Sequence, residues 1–328
     1  MSELRWNPLL RTYTMVASNR QARPDMPKDW CPFCPGEGKK VPPDYEVFSY
    51  DNDFPALKLS PDEMTVKSTG IYNAVQNYGK CEVILYSPDH NAKLYELSQE
   101  HIVKLIHLWK DRFIELSKDE KIKYIFEFEN RGEEVGVTMP HPHGQLYAYP
   151  WIPLKIKTEL DSCCDYYNEH SKCLICSMND EEKEFGERVI FENSSFMAYL
   201  PFFTDYPYGV FITSKRHIDS FVGFMQKEEE DLADILKNIT GAFDNLFDRP
   251  FPYMMCIHQS PVNSEWEYKD NSRYFHFHIE FYTPLRDKKR IKWYASSEMG
   301  GWAAANTMNV EDSAKDLRAA LEKFLKKR

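Results

Sequence analysis

The 328-residue sequence has no run of about 18 apolar residues, the length a membrane-spanning helix requires, which argues against a helical membrane protein. It also lacks an excess of basic charge: 41 Lys and Arg stand against 51 Asp and Glu, a net charge of −10. A sequence-independent grip on nucleic acid needs many cations to neutralise phosphates, so the charge argues against that function class, and an anionic small substrate needs a local basic pocket. The opening MSELRWNPLLRTYTMV has no uninterrupted apolar core of the kind that marks a secretory signal, and the expectation is a cytoplasmic protein. In that reducing setting eight cysteines do not build a disulfide framework. What is present, 42% hydrophobic and 28% charged residues with an aromatic share of 15%, describes a folded globular chain with large rings lining its cores or clefts. Its length exceeds one simple core and predicts two lobes or one large duplicated unit.

Cysteine spacing says more than cysteine number. Four of the eight form two CxxC pairs, CPFC (Cys31, Cys34) and CLIC (Cys173, Cys176), a spacing suited to chelating zinc. Cys81, Cys163, Cys164 and Cys256 sit among apolar or aromatic neighbours and are expected as small buried residues. The two pairs prompt a search for repetition, and one is found. VFSYDNDFPALKL and VILYSPDHN follow the first pair; RVIFENSSFMAYLPFF and VFITSKRHI follow the second, so His90 and His217 end equivalent strands. Each is followed by a helix: one capped by Ser98, with Ile102, Leu105, Ile106, Trp109, Phe113 and Leu116 at helical spacing, the other carrying Leu232, Ile235, Leu236, Ile239, Phe243 and Leu246. The first copy closes with PHPHGQLYAY and the second with YFHFHIEFY, pairing His141 with His276 and His143 with His278. The fold class is therefore α+β: tandem duplicated units, each a meandering antiparallel sheet with a helix packed on it, over residues 1–155 and 156–328. A last amphipathic helix carries Leu317, Leu321, Phe324 and Leu325 on one stripe.

Zinc takes four N or S ligands in a tetrahedron, and each copy supplies two thiolates and two histidines. The repeat predicts one site from Cys31, Cys34, His90 and His141 and another from Cys173, Cys176, His217 and His276. His101, His107 and His170 fall on polar helix faces or in a charged segment and are expected to be solvated.

In VTMPHPHGQLYAY, residues two apart on a strand point to one face, so one histidine can hold metal while its neighbour works. Pro142 suits an edge or irregular strand and stiffens both rings; Gly144 lets a ligand approach the backbone; Gln145 can donate an amide hydrogen bond to a phosphoryl oxygen. The pattern suits phosphorus chemistry with His143 as nucleophile. The second copy replaces Gly-Gln with Ile-Glu, whose carboxylate would repel phosphate, so catalysis is expected in the first copy alone.

These residues resemble the galactose-1-phosphate uridylyltransferase family, a branch of the histidine-triad superfamily whose members carry HPHGQ after an N-x-G segment, here ENRGEEVGVTMPHPHGQ. RWNPLLRTYTMVASNRQARP resembles the family's opening, DNDFPAL its nucleotide-binding turn and HFHIEFYTPLR its late histidine strand. The resemblance implies ping-pong nucleotidyl transfer: His143 attacks the α-phosphorus of a UDP-sugar, hexose 1-phosphate leaves, and a second hexose 1-phosphate takes the uridylyl group, with Gln145 stabilising phosphoryl charge. It places Arg20, Arg23, Asn52, Asp53, Asn130 and Thr138 (where the family has serine) on the nucleotide, Lys292 and Glu298 on the hexose phosphate, and it implies a homodimer whose active site borrows residues across the interface. Some members bind their second metal through a glutamate and three histidines, here Glu159, His258, His276 and His278. The internal repeat favours the cysteine set, leaving Glu159 and His258 as outer-shell groups. Ser297 replaces a tyrosine of the hexose-phosphate loop, and Ala304 or a shifted Asn306 replaces a glutamine, so sugar preference stays open.

Two other readings remain. A nucleoside-diphosphate-glucose phosphorylase, resembling the ADP-glucose phosphorylases with their second CxxC, would use the same histidine with inorganic phosphate as acceptor and adenine in place of uracil. A zinc-stapled nucleotide- or nucleic-acid-binding module without turnover is opposed by the acidic balance and the intact PHPHGQ.

Overall fold

The structure, a computed structural model, describes residues 2–22, 30–36 and 39–328, without the side chains of residues 19 and 22. In chain order the first half supplies β1 (Ser2–Asn7), β2 (Thr12–Ala17), β3 (Phe48–Asp51), β4 (Ala74–Gln76), β5 (Lys80–Leu85), α1 (Gln99–Ser117), β6 (Tyr124–Arg131) and β7 (His143–Tyr149). Helices α2 (Leu154–His170) and α3 (Leu174–Phe185) follow. The second half then runs β8 (Val189–Glu192), β9 (Phe196–Tyr199), β10 (Phe211–Ser214), α4 (Gln226–Leu246), β11 (Tyr253–His258), β12 (His278–Tyr282), α5 (Ser296–Gly301) and α6 (Val310–Lys327).

Both halves contribute to one nine-stranded antiparallel sheet, ordered β3-β5-β7-β6-β11-β12-β10-β9-β8; β2, β1 and β4 form a separate three-stranded sheet. At the centre Phe128 of β6 pairs with Cys256 of β11, Phe128 also pairs with Gln145 of β7, and Cys256 with Glu280 of β12. A half-turn about the Phe128–Cys256 pair therefore exchanges the two halves of the sheet. It carries Gln145 onto Glu280, His143 onto His278 and Asn130 onto His258. The 155/156 division falls inside α2, where no strand is interrupted.

Strand alternation sends the two sheet faces into different cores. On one face Ile84, Ile125, Leu146, Met255, Ile257 and Ile279 are buried beneath α1, α4 and α6. On the other, Tyr124, Tyr147 and Tyr149 pack with Ile156, Leu160 and Cys163 of α2. Helix α1 forms as its spacing demands: the Ser98 hydroxyl accepts from the His101 amide at 3.1 Å, and the six apolar residues predicted to face the core are buried. In α4, Gly241 sits where a Cβ would come within 2.7 Å of the Phe324 ring. A glycine inside a helix costs roughly 1 kcal/mol against alanine, and here it admits the close contact that seats α6.

Several expectations are corrected. Leu325 is exposed, and Ala314 and Ala320 join Leu317, Leu321 and Phe324 on the buried stripe of α6. Cys164 and Cys256 are only partly buried. His101 is half-buried, its Nε2 set 2.7 Å from the Tyr86 carbonyl, and His107 pairs with Glu229 at 2.9 Å. His107 and His170 are both exposed, as expected, His170 beside the Tyr166 ring.

Candidate active site and metal clusters

The CPFC loop, the end of the segment after β5 and the bend before β7 converge. Cys31 Sγ lies 3.7 Å from His141 Nδ1, and Cys34 Sγ lies 3.5 Å from His90 Nδ1 and 3.7 Å from His141 Nδ1. All four ligand atoms fall within 4.8 Å of one another. The far nitrogen of His141 faces the Ser87 carbonyl at 2.8 Å and the Tyr45 hydroxyl at 3.1 Å. A carbonyl only accepts, so Nε2 carries the proton and Nδ1 turns its lone pair toward the thiols, the arrangement a metal-ligating histidine needs. Burial, with His90 and His143 nearby, lowers His141 to about 4 and keeps it neutral. Burial and the adjacent Cys31 thiol push Cys34 up to about 11, as expected of two thiols that a dication would deprotonate together.

The second half repeats this geometry. Cys173 caps α3, its Sγ 3.5 Å from His276 Nδ1; Cys176 Sγ lies 3.4 Å from His276 Nδ1 and 3.8 Å from His217 Nδ1. His276 Nε2 faces the Ser214 carbonyl at 2.9 Å, and His217 Nε2 the Ser272 carbonyl at 2.8 Å.

A third group was not foreseen as such. Glu159, His258, His278 and Glu280 also bring their ligand atoms within 4.8 Å of one another. Glu159 and His258 are thus not outer-shell groups of the cysteine cluster: they join His278 and Glu280, while His276 stays with the thiols. His258 Nδ1 lies 2.8 Å from Glu159, and Lys155 reaches Glu280 at 2.5 Å. Although burial opposes it, His258, His278 and Lys155 hold Glu280 ionised, far below the usual carboxylate range. The alternation of His278 and Glu280, which puts both on one side of β12, was the available signal; Glu159 enters only because α2 crosses that face.

His143 opens β7, and its Nδ1 lies 2.7 Å from the carbonyl of His141. That contact places the proton on Nδ1 and the lone pair on Nε2. His141 does not share the strand, as the alternation suggested; it lies in the preceding bend, and β7 is interior, with Pro142 just ahead of its first residue. Gly144 also differs from expectation: a Cβ there would come 2.4 Å from the hydroxyl of buried Tyr86 and 3.1 Å from the Phe128 carbonyl. The glycine admits Tyr86 against the strand rather than a ligand. Tyr86 in turn borders Glu129, a carboxyl that burial raises to about 7 and that also accepts from the Tyr253 hydroxyl at 3.1 Å.

His143 lines a cleft of about 260 Å³ with Asn130, Arg131, Gly132, Thr138, Pro140 and Lys93. Gln145 lies two residues along β7 on the face of His143, paired with Val83 and Phe128. Arg20 reaches the same face, donating to the Tyr147 hydroxyl at 3.2 Å; Arg23 lies outside the described residues. Asn52 caps the Phe54 amide at 2.9 Å. Asp53 is held by Lys40 at 2.5 Å and by Tyr50, whose ring meets Phe33, itself 5.8 Å from the His143 ring. Lys292 and Glu298 do not line this cleft. Lys292 is buried and donates to the Asp205 carbonyl at 2.9 Å, with Glu298 at 4.0 Å. Asn306 donates to the carbonyls of Thr204 and Tyr206, which commits its amide to the loop.

The model of the galactose-1-phosphate uridyl transferase N-terminal domain matches residues 2–153, and that of the C-terminal domain matches residues 159–323. The chain belongs to the galactose-1-phosphate uridylyltransferase family. It is 41% identical over 319 residues to the galactose-1-phosphate uridylyltransferase of Thermotoga maritima, covering 97% of this chain and 98% of that one. The Kluyveromyces lactis enzyme of the same name is 34% identical, with 97% and 93% covered. A solved uridylyltransferase structure superimposes with a TM-score of 0.89 at 30% identity, over 98% of this chain and 99% of that one. An ADP-glucose phosphorylase from Arabidopsis thaliana with bound ADP-glucose gives 0.73 at 26% identity, over 97% and 99%. Both of these curated relatives are named as transferases, and the α+β fold with antiparallel sheets is shared with the uridylyltransferase structure over 98% of this chain.

Proposed function

We propose that the protein is a UDP-glucose–hexose-1-phosphate uridylyltransferase working through a uridylyl-histidine. The observation that carries this reading is the hydrogen bond from His143 Nδ1 to the His141 carbonyl, which leaves the Nε2 lone pair to attack. Nε2 bonds the α-phosphorus of the UDP-sugar; the bond from that phosphorus to the bridging oxygen breaks, and hexose 1-phosphate departs as a stabilised anion without a proton donor. The imidazole then carries positive charge, and the His141 carbonyl stabilises its Nδ1–H. A phosphate oxygen of the second hexose 1-phosphate attacks the same phosphorus and restores the neutral ring, so two easier displacements replace one hard one. Gln145 donates to the non-bridging oxygens as charge shifts onto them. Arg20 and Arg23 supply cations for the diphosphate, while Asn52, Asp53, Asn130 and Thr138 hold the nucleotide.

Two thiols with two Nδ1 atoms suit tetrahedral zinc in each cysteine cluster, and zinc there ties together loops that the core does not. In the first cluster His141 would be fixed at one nitrogen by the metal and at the other by Ser87, and its own carbonyl would then orient His143. Lys292 and Glu298 lie outside the His143 cleft, which supports a homodimer in which a second copy presents its hexose-phosphate loop. Among the described residues no helix is long and apolar enough to cross a membrane.

A phosphorylase reading is favoured by the second Cys2His2 cluster and by the likeness to the ADP-glucose phosphorylase. Product formation from UDP-glucose or ADP-glucose, with galactose 1-phosphate or inorganic phosphate as acceptor, separates the two. Fastest turnover with UDP-glucose and galactose 1-phosphate is expected; faster turnover with phosphate would overturn the transferase reading. Replacing Cys173 and Cys176 together should remove about one zinc per chain, and unchanged zinc would move the second metal to the glutamate and histidine group.

A further inference from the structure

A second polar cavity, of about 560 Å³, lies between α4, α6 and the segment before α1, and shares Lys93 and Pro250 with the wall of the His143 cleft. Its lining includes the cations Lys93, Lys237, Arg249, Lys327 and Arg328 and the acids Glu96, Asp244 and Asp248. Most of that acidity is already committed. Glu96 holds Lys93 at 2.9 Å, Asp244 takes the guanidinium of Arg131 at 2.6 Å and 2.7 Å, and Arg249 is paired elsewhere with Glu134.

Lys237 is the informative member. It is buried, 8% exposed, and its ammonium donates to the backbone carbonyl of Leu97. Among the described residues no ion pair joins it to a carboxylate, and Glu100 and Asp234 act on it only through space. Burial and the neighbouring Arg328 both depress its pKa. The carbonyl it meets immediately precedes the N-terminus of α1, the positive end of a helix dipole and a poor setting for a further cation. Lys327 donates to the Asn245 side chain at 2.6 Å, and among the described residues no ion pair joins it to a carboxylate. Five cations thus line this cavity against three carboxylates, of which Glu96 and Asp244 already hold Lys93 and Arg131, and Tyr95 against Phe324 gives it an aromatic wall.

We propose that this cavity binds a phosphate-bearing anion, held by Lys237, Lys327 and Arg328 and distinct from the nucleotide cleft. Its volume admits inorganic phosphate or a small phosphate monoester, and both offer the oxygens that ammonium and guanidinium groups recognise. The site does not depend on His143 being a nucleophile. Calorimetric titration with inorganic phosphate at constant ionic strength tests it on the full chain, with glycerol 3-phosphate as the ester arm. Wild type and the cleft variant Asn130→Ala should bind alike, while Lys237→Met and Arg328→Gln should each weaken binding by about tenfold or more. Tighter binding of glycerol 3-phosphate assigns the site to esters, and equal or weaker binding to free phosphate. Arg328 is exposed, so its variant decides the matter if Lys237→Met fails to fold. Phosphate binding unchanged in Arg328→Gln, or lost in Asn130→Ala, overturns the proposal.

Discussion

The two halves of the sheet present the same histidine in opposite surroundings. His143 and His278 are exchanged by the half-turn at Phe128 and Cys256, and each donates Nδ1–H to the carbonyl two residues earlier, at 2.7 Å and 2.8 Å. Each follows a histidine of a Cys2His2 cluster. The neighbours differ. Around His143 stand Asn130 and Gln145, neutral groups able to donate to phosphate; at the equivalent places around His278 stand His258 and Glu280, with Glu159 added from α2. A strand that presents an imidazole is therefore not enough for phosphorus chemistry. At these equivalent strand positions a phosphoryl group meets amide donors in the first half and an imidazole and a carboxylate in the second, which has exchanged the amides for a buried charge network.

The sharpest way to break this comparison is to remove each imidazole in turn. His143→Ala should lower turnover by on the order of 10⁶-fold in steady-state assays, as loss of an attacking group does. His278→Ala should leave turnover within about tenfold but cost about 3–5 kcal/mol in denaturant unfolding, because Glu159 and Glu280 lose a buried partner. Comparable activity losses would mean that the halves have not diverged as argued. Transplanting one second-half feature is milder: Gln145→Glu should cut kcat by about 10²–10³-fold, with its circular dichroism unchanged.

Much of this contrast was legible beforehand because residues able to hold a metal declare themselves by type and spacing. Cys31, Cys34, His90 and His141, with their repeats Cys173, Cys176, His217 and His276, come from elements in the same chain order, so duplication identified partners that lie far apart. The third group was misassigned because Glu159 comes from α2, which has no counterpart in the first half, and its approach to His278 is a product of packing. Gly144 was misread for a similar reason: the hydroxyl that fills its space comes from Tyr86, beyond the end of the neighbouring strand. Pairing of β1 with β4, which builds the small sheet through Leu4 and Val75, left no local pattern to read.

Smaller effects sharpen the picture of what lies behind each strand. Gly144→Ala should cost about 1–3 kcal/mol by overpacking against Tyr86 and lower activity as well. Ile279→Ala, at the equivalent position, should cost about 2–5 kcal/mol by opening a cavity and leave activity near wild type. Glu129 has a folded pKa near 7, above its ordinary 4.5, so the native state binds the extra proton. Stability from this group is full below the ordinary value and falls as pH rises toward 7, by about 3 kcal/mol in all. Urea midpoints measured across that range should show the decline in wild type and lose this component in Glu129→Gln; an unaltered slope would assign it elsewhere.

The central claim is that one ring nitrogen holds the nucleotide between two half-reactions. Incubation with UDP-glucose labelled at the α-phosphate, without acceptor, followed by base quenching and peptide mass analysis, tests it directly. The account predicts an acid-labile uridylyl group on the peptide containing His143, discharged when galactose 1-phosphate is added. Full turnover in a mixture that never carries nucleotide on that peptide would contradict it.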